Sequence, residues 1–538
     1  MPEFEVTLHG AGQTVTGSCY EVHFGRSRVL VDCGMFQGSR TLEELNNADF
    51  AFDIKAIDAV ILTHAHIDHS GLVPKLVAQG YAGPIWCTVE TADLLAFMLM
   101  DSARIQEHDV ARRNRRADRA DRADEPPVEP IYGVVDAERA LKLLRTVATD
   151  ENFELAPDLW ARLWNAGHVL GSASVELGGG AVRLLFSGDI GPDQKSFHAN
   201  PQGPVGVDHV FCESTYGDRE RADLRLLERR ALLLREVTEA LARGGNLVIP
   251  VFALERTQEL LLDLAHLINA GDLPGANVFI DSPLATQITS VFAKYSGELA
   301  DTDDADIFHH PAFHFTGSRR ASEKISEMRG AIILAASGMC EGGRIRFHLL
   351  DNLPDARSTV LFVGFQAQGT LGRIIMEGAR RVRISGSDVA VRAQIRSIDS
   401  YSAHADRSEL LAWVRARQPI SGSLFLTHGE RESVLTLKAD LDAEVASIFT
   451  PDIGETYVLP PAAPAKLIDT RRASLPPVHG RDWQNDYADF AVSLRQELKA
   501  IGDAEKRRQA IAQMREVLQG FQSARAAQSL ARHQRPRE

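Results

Sequence analysis

No Cys-x-x-Cys pair occurs in the 538 residues, and the five cysteines (Cys19, Cys33, Cys87, Cys212 and Cys340) are scattered and odd in number. That usage excludes a disulfide framework and a zinc ribbon, and it fits a reducing compartment, so a cytoplasmic protein is expected. Long apolar runs are also missing: nothing approaches the roughly 20 residues of a membrane span. The opening MPEFEVTLHGAG has no basic stretch followed by an apolar one, and neither secretion nor membrane insertion is expected. Nor is there an excess of positive charge. The 59 Lys and Arg against 73 Asp and Glu leave a formal net charge of −14, which argues against a generally basic nucleic-acid coat but allows a local positive groove. What is present is the material of a large folded body, 44% hydrophobic and 25% charged, too long for one hydrophobic core.

Residues 3 to 32 alternate as strands do, in FEVTL, CYEVHF and SRVLVD, separated by the glycine-rich HGAGQTVTGS and by GRS. This is hairpin punctuation and predicts an N-terminal β-meander. From about residue 209 the rhythm changes. HVFCEST, NLVIPVF, NVFIDS, AIILAAS and TVLFVGF are short apolar strands, several followed by helical stretches such as ERTQELLLDLAHLI, and this βα alternation predicts a parallel sheet. Strand-like segments recur at RAQIRSI and SGSLFLTHG; LPPAAPAKL (459–467) then breaks the pattern and reads as a linker. In the tail, Trp483, Tyr487, Phe490, Leu494, Leu498 and Ile501 recur at helical spacing, as do Ile511, Met514, Leu518 and Phe521. Two amphipathic helices are expected to dock on the body or on a second subunit, with contact to RNA as the alternative.

The segment THAHIDH (63–69) follows the apolar run AIDAVIL and puts three histidines and an aspartate into seven positions. The chain's 18 histidines would not scatter so densely by chance. His64 and His66 sit two apart, and Asp68 and His69 follow in a loop, so one strand end can turn two pairs of ligands toward two different ions. Two ions need more donors. His168 in NAGHVLGSAS and Asp189 in VRLLFSGDIG are candidates, although each alone reads as a turn or cap residue. Asp32 in VLVDCGMFQG stays open between a turn-former and a functional carboxylate.

His-x-His-x-Asp-His, then a lone His, then a strand-end Asp resembles the metallo-β-lactamase superfamily in order as well as in residue type. The resemblance implies an α/β fold, a four-layer αβ/βα sandwich holding two Zn2+. It places His64, His66 and His168 on one ion, Asp68 and His69 on the other, Asp189 bridging, and Asp32 orienting the metal loop from behind. Three further stretches, FCESTYGDRE with Glu213, DSYSAHADRSEL with His404 and LFLTHGERE with His428, resemble the added motifs of the β-CASP nucleases. That implies a parallel-sheet β-CASP domain at 208–388 inserted between two parts of a metallo-β-lactamase domain, 1–207 and 389–460. Residues 461–538, a linker and a helical C-terminal extension, lie outside the resemblance. RNA-processing members carry His at the third added motif where Artemis-like DNA nucleases typically carry Val, so His428 implies a ribonuclease and completes the second zinc. ESTYGDRE and SAHAD are similar to the endonuclease subunit of the eukaryotic pre-mRNA cleavage factor and to its bacterial ribonuclease relatives.

By the same resemblance the reaction is hydrolysis of RNA phosphodiester bonds, endonucleolytic, 5′-exonucleolytic or both. Two zincs about 3.5–4 Å apart lower the pKa of bridging water toward roughly 7 and clamp the non-bridging oxygens. In-line attack by this hydroxide follows, with Asp68 accepting a hydrogen bond from the nucleophile. His404, which alone reads as a helix-start histidine, becomes the acid for the leaving 3′ oxygen, while Glu213 holds its tautomer and raises its pKa. The products are a 5′-phosphate and a 3′-hydroxyl.

Two glycine-rich turns follow apolar strands, ILAASGMCEGGR (333–344) and LFVGFQAQGTLGR (361–373). Backbone N–H groups at such turns cradle phosphate, which nominates Ser337, Gly338, Gly364, Gln366, Gly369 and Thr370. The stretch around Arg373, Arg380, Arg381 and Arg383 is the more purely basic of two Arg-rich segments and is expected near the domain join. The segment ARRNRRADRADRAD (111–124) offers Arg112, Arg113, Arg115, Arg116, Arg119 and Arg122, but Asp118, Asp121 and Asp124 interleave, and a solvated helix face is the preferred reading. Three rivals stand beside the zinc ribonuclease. A β-CASP DNA nuclease is disfavoured by His428, a small-molecule hydrolase by the roughly 180-residue insertion, and a non-catalytic RNA-binding or assembly subunit by the occupation of every motif position. A homodimer is left open.

Overall fold

The structure, a computed structural model, describes residues 2–38, 40–119, 127–193, 195–221, 226–299, 301, 307–364, 366–367, 369–470, 483–515 and 517. One sheet has eight strands, in spatial order Lys466–Thr470, Glu455–Leu459, Phe4–Leu8, Tyr20–Phe24, Ser27–Val31, Ala59–Ile61, Ile85–Cys87 and Leu144–Thr146. The expected N-terminal meander is its centre, with Val6 opposite Val22 and Val22 opposite Val29. The last three strands add in parallel. A second sheet runs Ile448–Phe449, Ser423–Thr427, His209–Glu213, Val182–Phe186, Ala173–Gly179, Leu159–Asn165 and Asn152–Ala156.

The period-two pattern decides how these sheets pack. Leu184 and Phe186 share a core with Val6, Val22 and Val31 of the first sheet, whereas Leu185, between them, packs with Leu410, Trp413 and Leu437 of helices Arg407–Arg415 and Arg431–Leu441. On the opposite outer face Leu30, Val60 and Leu62 pack with Val73, Leu76, Leu94 and Leu99 of helices Val73–Ala78 and Val89–Arg119. Helices, sheet, sheet and helices make the four layers. Phe186, Phe211 and Phe425 stack at centroid spacings of 4.5 and 4.4 Å, a cross-strand ladder that fixes the register of three parallel strands. The ends of those strands carry the site.

A third sheet is parallel throughout: Phe313–Phe315, Val278–Asp281, Ile332–Ala335, Leu247–Pro250, Thr359–Phe362 and Gln394–Ser397. Both its faces are covered, as a sheet built from βα units requires. Ile249 packs with Leu233 and Leu260, and Val248 on the other face packs with Ile345 and Ile374.

Four expectations change. His209–Glu213, grouped by the sequence with the inserted sheet, belongs to the seven-stranded sheet, and Gln394–Ser397, grouped with the enclosing domain, is the edge of the inserted sheet. A short apolar parallel strand looks the same in either sheet, because helices cover both. LPPAAPAKL is not a linker but the loop of an antiparallel hairpin, Glu455–Leu459 with Lys466–Thr470. In the tail, helix Trp483–Ala500 forms, yet Tyr487 and Phe490 of its apolar stripe are exposed, and Ala488 and Val492 make the contact with the body. Small Ala488 permits the close approach that lets Asn485 clamp the backbone of Arg383, Oδ1 accepting from its N–H at 2.9 Å and Nδ2 donating to its carbonyl at 3.1 Å. A second helix covers 504–515, while Leu518 and Phe521 lie outside the described residues.

Candidate metal centre

The candidate metal ligands, with Asp32 and Glu213, come from the same edge of the sandwich, and most follow the C-terminal end of a strand. Asp32 follows Ser27–Val31, THAHIDH follows Ala59–Ile61, Asp189 follows Val182–Phe186, Glu213 ends its strand, and His428 follows Ser423–Thr427. The parallel register sets Glu213 opposite Thr427, beside His428. His168 enters from the turn between the antiparallel strands Leu159–Asn165 and Ala173–Gly179.

These residues converge on two points. At the first, His66 Nδ1 lies 3.0 Å from His64 Nε2 and 3.2 Å from His168 Nε2, and Asp189 Oδ2 lies 3.6 and 3.5 Å from the latter two nitrogens. At the second, His69 Nε2 lies 3.2 Å from His428 Nε2, and Asp68 Oδ2 lies 3.7 Å from that His428 nitrogen. Asp189 Oδ1 faces this second set, 3.2 Å from His69 Nε2. One carboxylate thus turns an oxygen toward each set.

The other ring nitrogens are held from behind. His168 Nδ1 donates to the Ala403 carbonyl at 2.8 Å, His69 Nδ1 donates to Asp32 Oδ2 at 2.7 Å, and His64 Nδ1 lies 3.0 Å from Thr63 Oγ1, whose proton is given to Asp32. This fixes the tautomers so that the Nε2 lone pairs of His64, His69 and His168 point inward. Burial pushes His64 and His168 well down and His66 to about 4, so these imidazoles are neutral. His66 Nδ1, at 3.0 and 3.2 Å from two inward-facing lone pairs, is spaced as a third nitrogen ligand of one ion would be. Tetrahedral zinc with bonds of about 2.0–2.1 Å spaces its nitrogens by roughly 3.3 Å. Asp189 Oδ1, fully buried, has no hydrogen-bond donor in good geometry. The donor set therefore fits divalent metal.

Asp32 closes the metal loop at both ends, accepting the Thr63 N–H at 2.8 Å and the His69 Nδ1 proton. Its backbone is left-handed, φ 61°. Behind it the chain runs against the loop: Cys33 N donates to the His69 carbonyl and Met35 N to that of Ile67, at 2.8 and 2.9 Å. A Cβ at Gly34 would lie 1.6 Å from the Asp68 carbonyl oxygen.

His404 stands beside the first point, its ring 4.6 Å from that of His168 and its Nδ1 3.1 Å from Glu213 Oε1. Burial opposes its imidazolium, but Glu213 first and Asp189 next outweigh burial and raise its pKa. Its side chain keeps 19% exposure, so Nε2 can meet a ligand.

The two glycine-rich turns pack on each other, Gln366 Nε2 donating to the Gly338 carbonyl at 3.0 Å. Ser337 Oγ closes its own turn on Gly342, and Thr370 Oγ1 caps helix Leu371–Met376 by accepting from Arg373 N. Gly369 precedes that cap with φ 77°. Arg373 is engaged by Glu377, Arg381 by Asp388 and Arg383 by Gln484 of the tail helix, so of these three only Arg383 meets the extension in these contacts. Arg112, Arg113 and Arg115 are exposed on helix Val89–Arg119, while Arg122 lies outside the described residues. Sequence reasoning missed Thr63, Gly34, Lys195 and Glu255. Glu255 of the inserted unit, φ 69°, accepts from His198 at 2.7 Å and from Lys195 at 3.0 Å, and Lys195 also donates to the His168 carbonyl.

Three family models match in succession: the metallo-β-lactamase superfamily at residues 12–230, the β-CASP domain at 257–375 and the Zn-dependent metallo-hydrolase RNA specificity domain at 388–451. Ribonuclease TTHA0252 of Thermus thermophilus is 36% identical over 435 residues, covering 80% of this chain and 94% of that protein. Transcription termination factor FttA of Methanothermobacter thermautotrophicus is 31% identical over 454 residues, 81% of this chain and 68% of that protein. FttA of Methanosarcina mazei is 31% identical over 452 residues with the same two shares, 81% and 68%. With the fold, the donor cluster and these similarities in agreement, the chain belongs to the β-CASP ribonuclease family of the metallo-β-lactamase superfamily and is a metal-dependent nuclease.

Proposed function

We propose that the chain is a zinc-dependent ribonuclease that hydrolyses RNA phosphodiester bonds to 5′-phosphate and 3′-hydroxyl ends, endonucleolytically, from the 5′ end, or both. In this reading His64, His66 and His168 hold one zinc, Asp68, His69 and His428 the other, and Asp189 both. The observation that carries it is the division of Asp189, with one oxygen toward each imidazole set. When bound, the two zincs supply an acidified water and neutralise charge on the phosphate.

The protein's own groups do the rest. Asp68, with 20% of its side chain exposed, accepts a hydrogen bond from the attacking water and turns its lone pair toward phosphorus. As the phosphorus–O3′ bond breaks, His404 Nε2–H gives its proton to the departing oxygen, and Glu213 stabilises the imidazolium until then. RNA lies between the sandwich, to which strands His209–Glu213 and Lys466–Thr470 also belong, and the inserted parallel sheet, which takes in Gln394–Ser397. The five cysteines are free and buried, which supports a cytoplasmic setting, and no helix of the described residues is long and apolar enough to cross a membrane.

The test is metal analysis of the full chain followed by product mapping on uniformly labelled RNA carrying a 5′-triphosphate or a 5′-monophosphate. Two zincs per chain and 5′-phosphate products are expected. Cleavage of single-stranded DNA in preference to RNA would move the chain to the DNA nucleases, and inactivity after zinc reconstitution would favour an assembly subunit.

A further inference from the structure

Arg256 opens helix Arg256–Asn269 at the end of the inserted sheet and is only 7% exposed. Its Nη1 is buried without a hydrogen-bond partner, and no other guanidinium hydrogen bond is made among the described residues. No carboxylate of the described residues comes within ion-pair distance of it, although Glu259, whose Oε2 is also buried without a hydrogen-bond partner, acts on it electrostatically. Glu259 faces Arg229 Nη1 at 3.2 Å, and Glu255 faces Lys195 and His198. A buried cation without a paired anion is costly, so a fold that keeps one has a reason to hold it for an anionic ligand.

The guanidinium lies under Gly364, where an added Cβ would meet it at 3.0 to 3.1 Å and where φ is 136°. Only a residue without a side chain lets the backbone approach the cation this closely. Tyr216 is close enough to act on Arg256 electrostatically, and its ring stands 6.1 Å from that of His404. Phe252, four residues earlier, is 36% exposed with Gly338 packed against its ring. A part-exposed aromatic ring in the same strand-to-helix turn as a cation suits a nucleotide better than free phosphate.

We infer that Arg256 binds one internucleotide phosphodiester of the RNA strand beside the scissile linkage, with Phe252 as the platform for a base of that strand. The inference rests on the ribonuclease reading above and adds a residue that sets register to it.

The test is binding of short RNAs by the full chain, read under chelation so that no turnover intervenes, with each linkage in turn replaced by a neutral methylphosphonate. The wild type is expected to lose about 10- to 100-fold in affinity at one linkage. R256Q is expected to bind the unmodified RNA that much more weakly, to show no further loss at that linkage, and to lower the slope of log affinity on log salt by about 0.7. R256K should restore the slope without the full affinity. An R256Q protein that melts as the wild type does yet keeps the full loss at that linkage overturns the inference. If R256Q does not fold, the wild-type scan decides, and equal sensitivity at every linkage overturns it. Failure of the wild type to cleave unmodified RNA with zinc would instead sink the ribonuclease reading, which this binding measurement does not need.

Discussion

Glu213 Oε1 accepts the backbone N–H of Ile190 at 2.7 Å and faces His404 Nδ1 at 3.1 Å. One carboxylate oxygen therefore ties the turn that carries Asp189 to the ring placed to act as the acid.

The pH profile should report this pairing. Because Glu213 raises the His404 pKa against the pull of burial, the protonated acid persists to higher pH, and cleavage falls only as pH rises through that raised value. Glu213→Gln removes the negative charge but keeps an acceptor for Ile190 N, so the basic limb of kcat should move to lower pH. An unchanged limb would separate Glu213 from the titration of His404.

Metal content should distinguish the acid from the ligands. His404→Ala is expected to slow cleavage by about 10²- to 10⁴-fold while zinc per chain stays near the wild-type figure. Asp189→Ala, which strips both points of their shared oxygen, and Asp68→Ala should lose metal and activity together. Zinc lost from the His404 variant would contradict its role.

Much of this site was legible because the densest information is local. THAHIDH is one short segment, although Asp68 and His69, expected in a loop, fall in the short helix Ile67–Ser70, and its partner Asp32 follows the adjacent strand of the same sheet. Nothing local announces His428, which meets His69 across 359 positions; order of motifs and family resemblance supplied it. The assignment of strand His209–Glu213 failed for a physical reason. Its five residues are all buried, as are those of Leu247–Pro250 in the other sheet, because helices cover both. Edge strand Lys466–Thr470 escaped notice because it is mostly exposed and follows three prolines. Arg256 and Glu255 were quoted only as part of an apolar helix pattern, and their burial was invisible in it.

The close approach behind the metal loop gives a stability prediction. At Gly34 an added methyl would collide with the Asp68 carbonyl, which also accepts from Ser18 N at 2.8 Å. Gly34→Ala should cost at least about 1–3 kcal/mol of stability through overpacking, and it should lower zinc affinity by displacing Asp68 and His69. Denaturant melts of the chelated protein read the first effect and metal titration the second. A variant that melts normally and binds zinc normally would mean the segment yields more easily than its hydrogen bonds suggest.

Glu255 offers the sharpest test of coupling between the inserted unit and the metal centre. It lies at the end of the inserted sheet, yet its carboxylate holds Lys195, His198 and the Leu170 N–H, and Lys195 in turn holds the His168 carbonyl. Burial opposes its ionisation, but His198 and Lys195 outweigh burial and leave its pKa below the usual carboxylate range. A depressed folded-state pKa contributes stability that is present above the unfolded value and is lost as pH falls through the folded one. Glu255→Ala should therefore cost about 3–5 kcal/mol near neutrality, because it strands a buried ammonium. Glu255→Ala with Lys195→Met, which removes both charges, should recover much of that loss. The His168 turn would still lack its tether, so the double variant is expected to fold but to bind the first zinc more weakly than the wild type. Recovery of wild-type zinc affinity together with stability would show that the clamp serves the fold alone.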